Sequence, residues 1–255
     1  MPARTLEHPG IAADPHSSLF TLEPGADPAR PIALIPAYKP EAALWPLVQE
    51  LSASGALAAI LIVDDGGGPR YRELFHSLAQ LNGVTVLTHA VNLGKGAALK
   101  TGLNHAACCF PASVGVVTAD ADGQHSAADI LKVAASLSTT PNQLLMGTRR
   151  FDSSVPFRSR FGNTLTRHIM RVVTGQTLAD TQSGLRAIPL QFLPSLLKLR
   201  ATGYDFELDM LIKCKDAGQQ IREVSIATIY IENNRLHLSV LTEYLFVKFW
   251  MRICA

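Results

Sequence analysis

Ile32-Ala33-Leu34-Ile35-Pro36-Ala37-Tyr38 opens the stretch that decides the fold, because an alternation of short and long apolar segments starts there. Residues 32–35, 59–63, 84–87 and 114–117 are compact apolar runs that read as strands. Residues 42–52, 71–81, 96–109 and 126–137 lie between or after them and carry helix-like patterns. Such β-α alternation predicts an α/β fold, a mainly parallel central sheet flanked by helices with right-handed crossovers. Farther along, 144–147 reads as a strand, 160–174 as an Arg-rich helix, 204–215 as a helix and 221–231 as strand structure. No linker composition interrupts 32–232 and no internal repeat is evident. One domain over 31–235 is therefore expected, after an extension at 1–30 rich in Pro, Ala and His and before an amphipathic helix at 236–255.

The bulk numbers narrow the classes. A chain of 255 residues with 47% apolar and 17% charged residues can bury a sizeable core and is not a solvated coil. Its net charge of +2 argues against a nucleic-acid partner gripped by a broad basic surface. Cys108, Cys109, Cys214 and Cys254 show neither metal-site spacing nor a disulfide framework, and read as core residues in a reducing compartment. The first residues lack the basic start and apolar run of a secretory signal. The apolar segment 240–254 is interrupted by Glu243, Lys248 and Arg252, well short of the roughly 20 residues that cross a bilayer. A cytoplasmic location is the expectation.

In open α/β sheets, ligands bind beyond the C-terminal ends of the strands. Polar groups gather there in this sequence: Pro36-Ala37-Tyr38, Asp64-Asp65-Gly66-Gly67-Gly68, Asn92-Leu93-Gly94-Lys95-Gly96 and Asp120-Ala121-Asp122-Gly123-Gln124-His125. Each alone could be a capped turn or a helix start. Together they carry more. Asp120 and Asp122, beside the amide of Gln124, offer hard oxygen ligands suited to Mg²⁺ or Mn²⁺. Lys95 adds a cation, and Asp64 or Asp65 can accept hydrogen bonds from a base or ribose. The set suits a nucleoside diphosphate. Leu99 stands where a dinucleotide fingerprint needs its last Gly, and Lys95 lacks the spacing of a P-loop lysine, so neither of those nucleotide motifs is present.

These motifs, with Asp180-Thr181-Gln182-Ser183-Gly184-Leu185-Arg186 following in order, resemble the family 2 glycosyltransferases. The branch they resemble is typified by dolichol-phosphate mannose synthase and bacterial polyprenyl-phosphate glycosyltransferases. The resemblance spans about residues 32 to 235 and implies a GT-A fold and an inverting hexosyl transfer from a UDP- or GDP-sugar. It implies that Pro36, Tyr38, Asp65, Lys95 and Asp120 contact the nucleotide, that Arg235 is a further donor contact, and that Asp120, Asp122 and Gln124 hold the metal. Gly147-Thr148-Arg149 and Arg158-Ser159-Arg160 fall where the branch binds an acceptor phosphate, and Phe206-Glu207 resembles an element lining the site. The sequence departs from the pattern at Pro40, at Gly67 and in the stretch from Ile231 to His237, and no long membrane helices follow the catalytic unit.

The acceptor sets the chemistry. A polyprenyl phosphate is already anionic, so Arg149, Arg158 and Arg160, with Ser159, would orient it without any base. A glycan or other hydroxyl acceptor would need a carboxylate base, for which Asp180, Asp205 and Glu207 are the candidates. A nucleotide-sugar-binding protein without catalysis is a reading from another class. His125 reads as a positioning group rather than a metal ligand. The segment 239–254, with Leu241, Tyr244, Leu245, Val247, Phe249 and Trp250, is expected either to lie in the membrane interface at the inner face or to pack on the domain or a second subunit.

Overall fold

A computed structural model describes residues 30–149, 171 and 183–227. The extension, the Arg-rich helix expected at 160–174 apart from the helical Arg171, and the C-terminal amphipathic segment lie outside these residues.

The alternation read from the sequence is the architecture. Strands β1 (Ile32–Ala37), β2 (Ala59–Asp64), β3 (Val84–Thr88) and β4 (Gly115–Thr118) alternate with helices α1 (Leu44–Ser54), α2 (Arg72–Leu78), α3 (Lys95–Cys109) and α4 (Ala127–Thr139). Then come β5 (Leu144–Arg149), β6 (Arg186–Pro189), α5 (Leu193–Leu197), α6 (Phe206–Asp216) and β7 (Ile221–Ile226). The seven strands form one sheet in the order β3-β2-β1-β4-β6-β5-β7. β1 pairs parallel with β2 and β4, β2 with β3, and β5 with β7, while β6 runs antiparallel between β4 and β5.

β1, β2, β4, β5 and β6 are buried on both faces, as in a sheet covered by helices, whereas the edge strands β3 and β7 are partly exposed. Alternate residues feed two cores. Ile32, Leu34, Leu61, Val63, Val116, Met146 and Ile188 face α3, α5 and α6, whereas Ala33, Ile35, Ile60, Ile62, Val117, Leu145 and Ala187 face α1, α2 and α4. The helices match this with apolar stripes. α1 buries Leu44, Leu47, Val48 and Leu51 at helical spacing. α4 begins at Ser126, whose hydroxyl accepts the Asp129 N–H at 3.1 Å, and buries Ile130, Val133, Ala134 and Leu137. α6 places Glu207 and Asp209 in its first turn and Lys213 and Lys215 in its last, favourable signs for the helix dipole.

Two expectations are corrected and one strand is added. Cys108 and Cys109, expected in the core, are exposed and half-buried, respectively, on α3. The sequence reading did not foresee β6: four residues opening on Arg186 and closing on Pro189 are too short and too punctuated to announce a strand. The helix expected at 71–81 follows a 3₁₀ turn at Pro69–Tyr71 and runs only over Arg72–Leu78.

The site is placed by topology. From β1 the chain moves outward to β2 and β3, then returns through α3 to lay β4 on the other side of β1. That reversal opens a crevice beyond the C-terminal ends of β1 and β4. α3, which carries the chain back, starts there with Lys95.

Candidate active site

Lys95 occupies the centre of the crevice. Its Nζ lies 2.7 Å from Asp120 Oδ1, just beyond β4, and 2.8 Å from Glu207 Oε2 in the first turn of α6. It also stands 5.7 Å from the centroid of the Tyr204 ring, within cation–π range. Burial opposes the charge on Lys95, but the Asp120 and Glu207 carboxylates outweigh it and hold the ammonium above its usual range. Burial likewise pushes Asp120 up, and Lys95 and His125 overcome this to hold its carboxyl well below the ordinary range. The cluster therefore sets one partly buried ammonium between two carboxylates. His125 Nε2 lies 3.7 Å from Asp120 Oδ2, and its Nδ1 is buried without a hydrogen-bond partner.

Asp120 rests on the backbone of Gly184. A Cβ at Gly184 would stand 2.3 Å from Asp120 Oδ2 and 2.8 Å from its Cγ, so only glycine leaves room for the carboxylate here. Thr118 Oγ1 donates to the Gly184 carbonyl at 2.8 Å and fixes that bend beneath the site.

The two aspartates after β2 do different work. Asp64 Oδ1 accepts the Gly67 N–H at 2.7 Å and shapes its own turn. Asp65, only 2% exposed, accepts the Leu93 N–H on Oδ1 and the Gly94 N–H on Oδ2, each at 2.9 Å. Its Oδ1 is also 2.7 Å from His89 Nδ1, and His89 Nε2 is 2.9 Å from Thr101 Oγ1 on α3. The carboxylate thus clamps the loop that delivers Lys95. Gly66 completes the junction: its φ of 72° suits glycine, and a Cβ there would lie 2.3 Å from the Val91 carbonyl carbon.

The loop after β4 turns on Asp122. Its Oδ1 accepts the Gln124 N–H at 3.0 Å, and its Oδ2 accepts from the Gln124 side-chain amide. Gln124 Oε1 in turn accepts from Arg149 Nη1 at 3.4 Å, at the end of β5. Gln124 therefore braces Asp122 and links it to Arg149. Among the described residues no three His, Cys, Asp or Glu side chains form a cage for an ion. Asp120 and Asp122 nonetheless fit Mg²⁺ or Mn²⁺, ions that typically take one or two carboxylates and fill the other positions with water and phosphate oxygens.

Pro36 lies next to last in the buried β1, which ends at Ala37, and Tyr38 stands 48% exposed just beyond it. Lys95, Asp120 and Glu207 meet in one cluster, and Gln124 joins Asp122 to Arg149. Arg158, Ser159, Arg160, Asp180 and Arg235 lie outside the described residues. Gly184 under Asp120 and Arg186 belong to the 180–186 motif, which assigns them no role, and His89 behind Asp65 falls in none of the motifs. Arg186 is 1% exposed, and its Nε donates to the Ser183 carbonyl at 3.2 Å while Nη1 donates to the Glu207 carbonyl. A charged residue opening the strand was the available signal. His89 had none.

The sequence model described as "Glycosyl transferase family 2" matches residues 32–224. A UDP-N-acetylglucosamine–dolichyl-phosphate N-acetylglucosaminyltransferase of Methanococcus voltae is 31% identical over 218 residues, which span 78% of this chain and 85% of that protein. An uncharacterised protein of Methanocaldococcus jannaschii is 31% identical over 204 residues, covering 78% of this chain and 81% of its own length. Among solved structures, glucosyl-3-phosphoglycerate synthase from Mycobacterium tuberculosis, crystallised with Mn²⁺, UDP-glucose and phosphoglyceric acid, superposes with a TM-score of 0.69. The alignment covers 97% of this chain and 86% of that one at 22% identity, a likeness of fold. The expected GT-A fold is the fold observed. With its motifs at the strand ends and a family match across nearly all of the α/β domain, the chain belongs to glycosyl transferase family 2.

Proposed function

We propose that this protein transfers one sugar from a UDP- or GDP-linked donor to a polyprenyl phosphate, with inversion at the transferred carbon. The observation that carries the reading is the ion cluster in the crevice: Lys95 pairs with both Asp120 and Glu207. A carboxylate whose oxygen is held by an ammonium is not turned toward an acceptor hydroxyl. Glu207, one of the side chains that could activate a hydroxyl acceptor, is committed in this way. An acceptor already anionic at neutral pH needs no such base. The dolichyl-phosphate acceptor named for the M. voltae relative supports the same reading.

The residues divide the work. Tyr38 and Asp64 would meet the base and ribose at the end of the crevice, while Asp65 would serve the nucleotide from behind, by holding the 93–94 loop in place. Asp120 and Asp122, with Gln124, would hold Mg²⁺ or Mn²⁺, which when bound neutralises charge on the departing diphosphate; Mn²⁺ accompanies UDP-glucose in the M. tuberculosis fold relative. Lys95 places an ammonium beside the same diphosphate. Arg149, tied to the Asp122 loop through Gln124, presents a guanidinium fork that orients the acceptor phosphate. Arg158, Ser159 and Arg160 are proposed to share that task, and Arg235 to close over the donor. The phosphate oxygen then attacks the anomeric carbon as the carbon–diphosphate bond breaks. No proton need be taken from it.

Such an acceptor resides in a membrane, so the enzyme would work peripherally at the inner face, with 236–255 as its contact. Among the described residues no helix is long and apolar enough to cross a membrane. The test is nucleoside diphosphate release from UDP- and GDP-sugars with Mg²⁺ or Mn²⁺, with and without a short polyprenyl phosphate. Release that requires the lipid and vanishes in Asp122→Ala is the expected result. Turnover on phosphoglycerate or a glycan, indifferent to the lipid, would replace the acceptor. Donor binding without turnover on any acceptor would leave a nucleotide-sugar-binding protein.

A further inference from the structure

Arg186 is among the largest fully buried side chains of the described residues. Burying a guanidinium is costly unless its donors are satisfied. Here the partners are two backbone carbonyls, Ser183 and Glu207, and the thioether of Met210 at 3.9 Å. Those carbonyls belong to the two segments that support the Lys95 cluster. Ser183 precedes Gly184, on which Asp120 rests, and Glu207 is the second carboxylate on Lys95. β6 and the first turn of α6 are far apart in sequence, and the planar fork joins them.

We infer that Arg186 is a positioning residue, which sets the placement of Asp120 and Glu207 about Lys95 and thereby tunes the diphosphate site. Nothing suggests that it touches substrate. It acts through Glu207 on one side and Gly184 on the other. Groups that orient a first layer of ligands typically change affinity or activity by about 10- to 100-fold when removed. The inference rests on the proposed donor chemistry for its consequence, and on the hydrogen bonds alone for its geometry.

The experiment compares wild type, Arg186→Met, Arg186→Lys, Glu207→Gln and the Arg186→Met/Glu207→Gln double variant. The readouts are UDP and GDP affinity by calorimetry, kcat and KM for the donor, and the Lys95 Nζ resonance, which senses its carboxylate partners without any ligand. Arg186→Met should shift that resonance and weaken nucleotide binding by about 10- to 100-fold. Glu207→Gln should add little in the Met background, because the Arg186 bond to the Glu207 carbonyl acts by placing that same side chain on Lys95. Arg186→Lys, able to reach one carbonyl, should recover part of the loss. Thr118→Val provides a second route if Arg186→Met does not fold, because it frees the Gly184 carbonyl while leaving the guanidinium in place. It should weaken binding in the same direction. An unmoved Lys95 resonance with wild-type affinity, or fully additive effects, would overturn the inference. A wild type that binds neither UDP nor GDP would instead refute the proposed function, and the resonance would still decide the role of Arg186.

Discussion

Lys95 Nζ and Asp120 Oδ1 stand 2.7 Å apart, joining the first residue of α3 to the loop after β4. The two residues are 25 positions apart and meet because the chain reverses direction across the sheet between them. An ammonium that also holds Glu207 makes the pair a three-point hinge for β4, α3 and α6. Removing any member leaves charge uncompensated in a half-buried place.

Lys95→Met leaves Glu207 without its cation and Asp120 with only His125, 3.7 Å away, in the same crevice. Removing one partner of a buried pair costs about 3–5 kcal/mol. The Asp120 side chain is 23% exposed, so solvent screens part of this and about 2–4 kcal/mol is expected. Urea denaturation measures it. An unchanged midpoint would mean that water alone compensates the carboxylates.

Gly184→Ala puts a methyl group 2.3 Å from Asp120 Oδ2. The backbone beneath is fixed by the Thr118 bond, so the carboxylate must move. Displacement of a catalytic group by about 1 Å can cost on the order of 100-fold. A fall of that size in donor kcat/KM, with the far-ultraviolet circular dichroism preserved, is the expected outcome. Wild-type kinetics would show that Asp120 can be relocated without penalty.

The first four β-α units were legible because each strand is a clean apolar run and each helix a clean stripe, so periodicity reported them directly. The strand-end motifs were legible for the same reason: a polar residue immediately after a buried run has nowhere to be but the sheet edge. β6 was hidden because Arg186 opens it and Pro189 closes it, and its strand character comes from pairing with β4 and β5 rather than from its own composition. The partnership of Lys95 with Glu207 was also hidden. It depends on how α6 packs against α3, a relation that no local pattern encodes. Asp65 shows the converse: the motif marked it as important, but only the structure shows its oxygens turned onto Leu93, Gly94 and His89.

Asp65→Asn tests that clamp. The amide can keep one oxygen acceptor, but it turns an N–H₂ group toward donors. One of the Leu93 and Gly94 N–H groups then loses its partner. A buried donor left unsatisfied costs about 1–3 kcal/mol. Faster hydrogen exchange at Leu93 and Gly94, with weaker nucleotide binding through the misplaced Lys95, is expected. Unaltered exchange would mean that the loop holds its shape without the carboxylate.

Arg149→Lys separates charge from geometry at the acceptor end. A lysine keeps the positive charge but cannot offer the parallel pair of N–H donors that fits a phosphate. Donor affinity should remain near wild type, while KM for polyprenyl phosphate rises about 10-fold or more, the equivalent of about 1.4 kcal/mol. Equal losses for donor and acceptor would place Arg149 on the diphosphate instead.

Cys214 gives a prediction independent of the substrate. It is fully buried on α6, and burial pushes its thiol up from 9.0 to about 12, against a small opposing pull from Arg186. In the unfolded chain the thiol begins to ionise near its ordinary value, whereas the folded protein retains the proton until much higher pH. The unfolded state therefore binds fewer protons between those two values, and the stability linked to this group falls as pH rises through that window. The limiting slope for one group is about 1.4 kcal/mol per pH unit. Comparing wild type with Cys214→Ala by urea denaturation between about pH 8 and 10.5 isolates it, because the slope present in wild type should shrink in the variant. The same burial makes a second readout available: at pH 8 a thiol reagent should modify exposed Cys108 rapidly and reach Cys214 only on unfolding. Fast labelling of Cys214 in the native protein, or equal slopes in the two proteins, would mean that α6 opens far more readily than its packing against α3 and α5 implies.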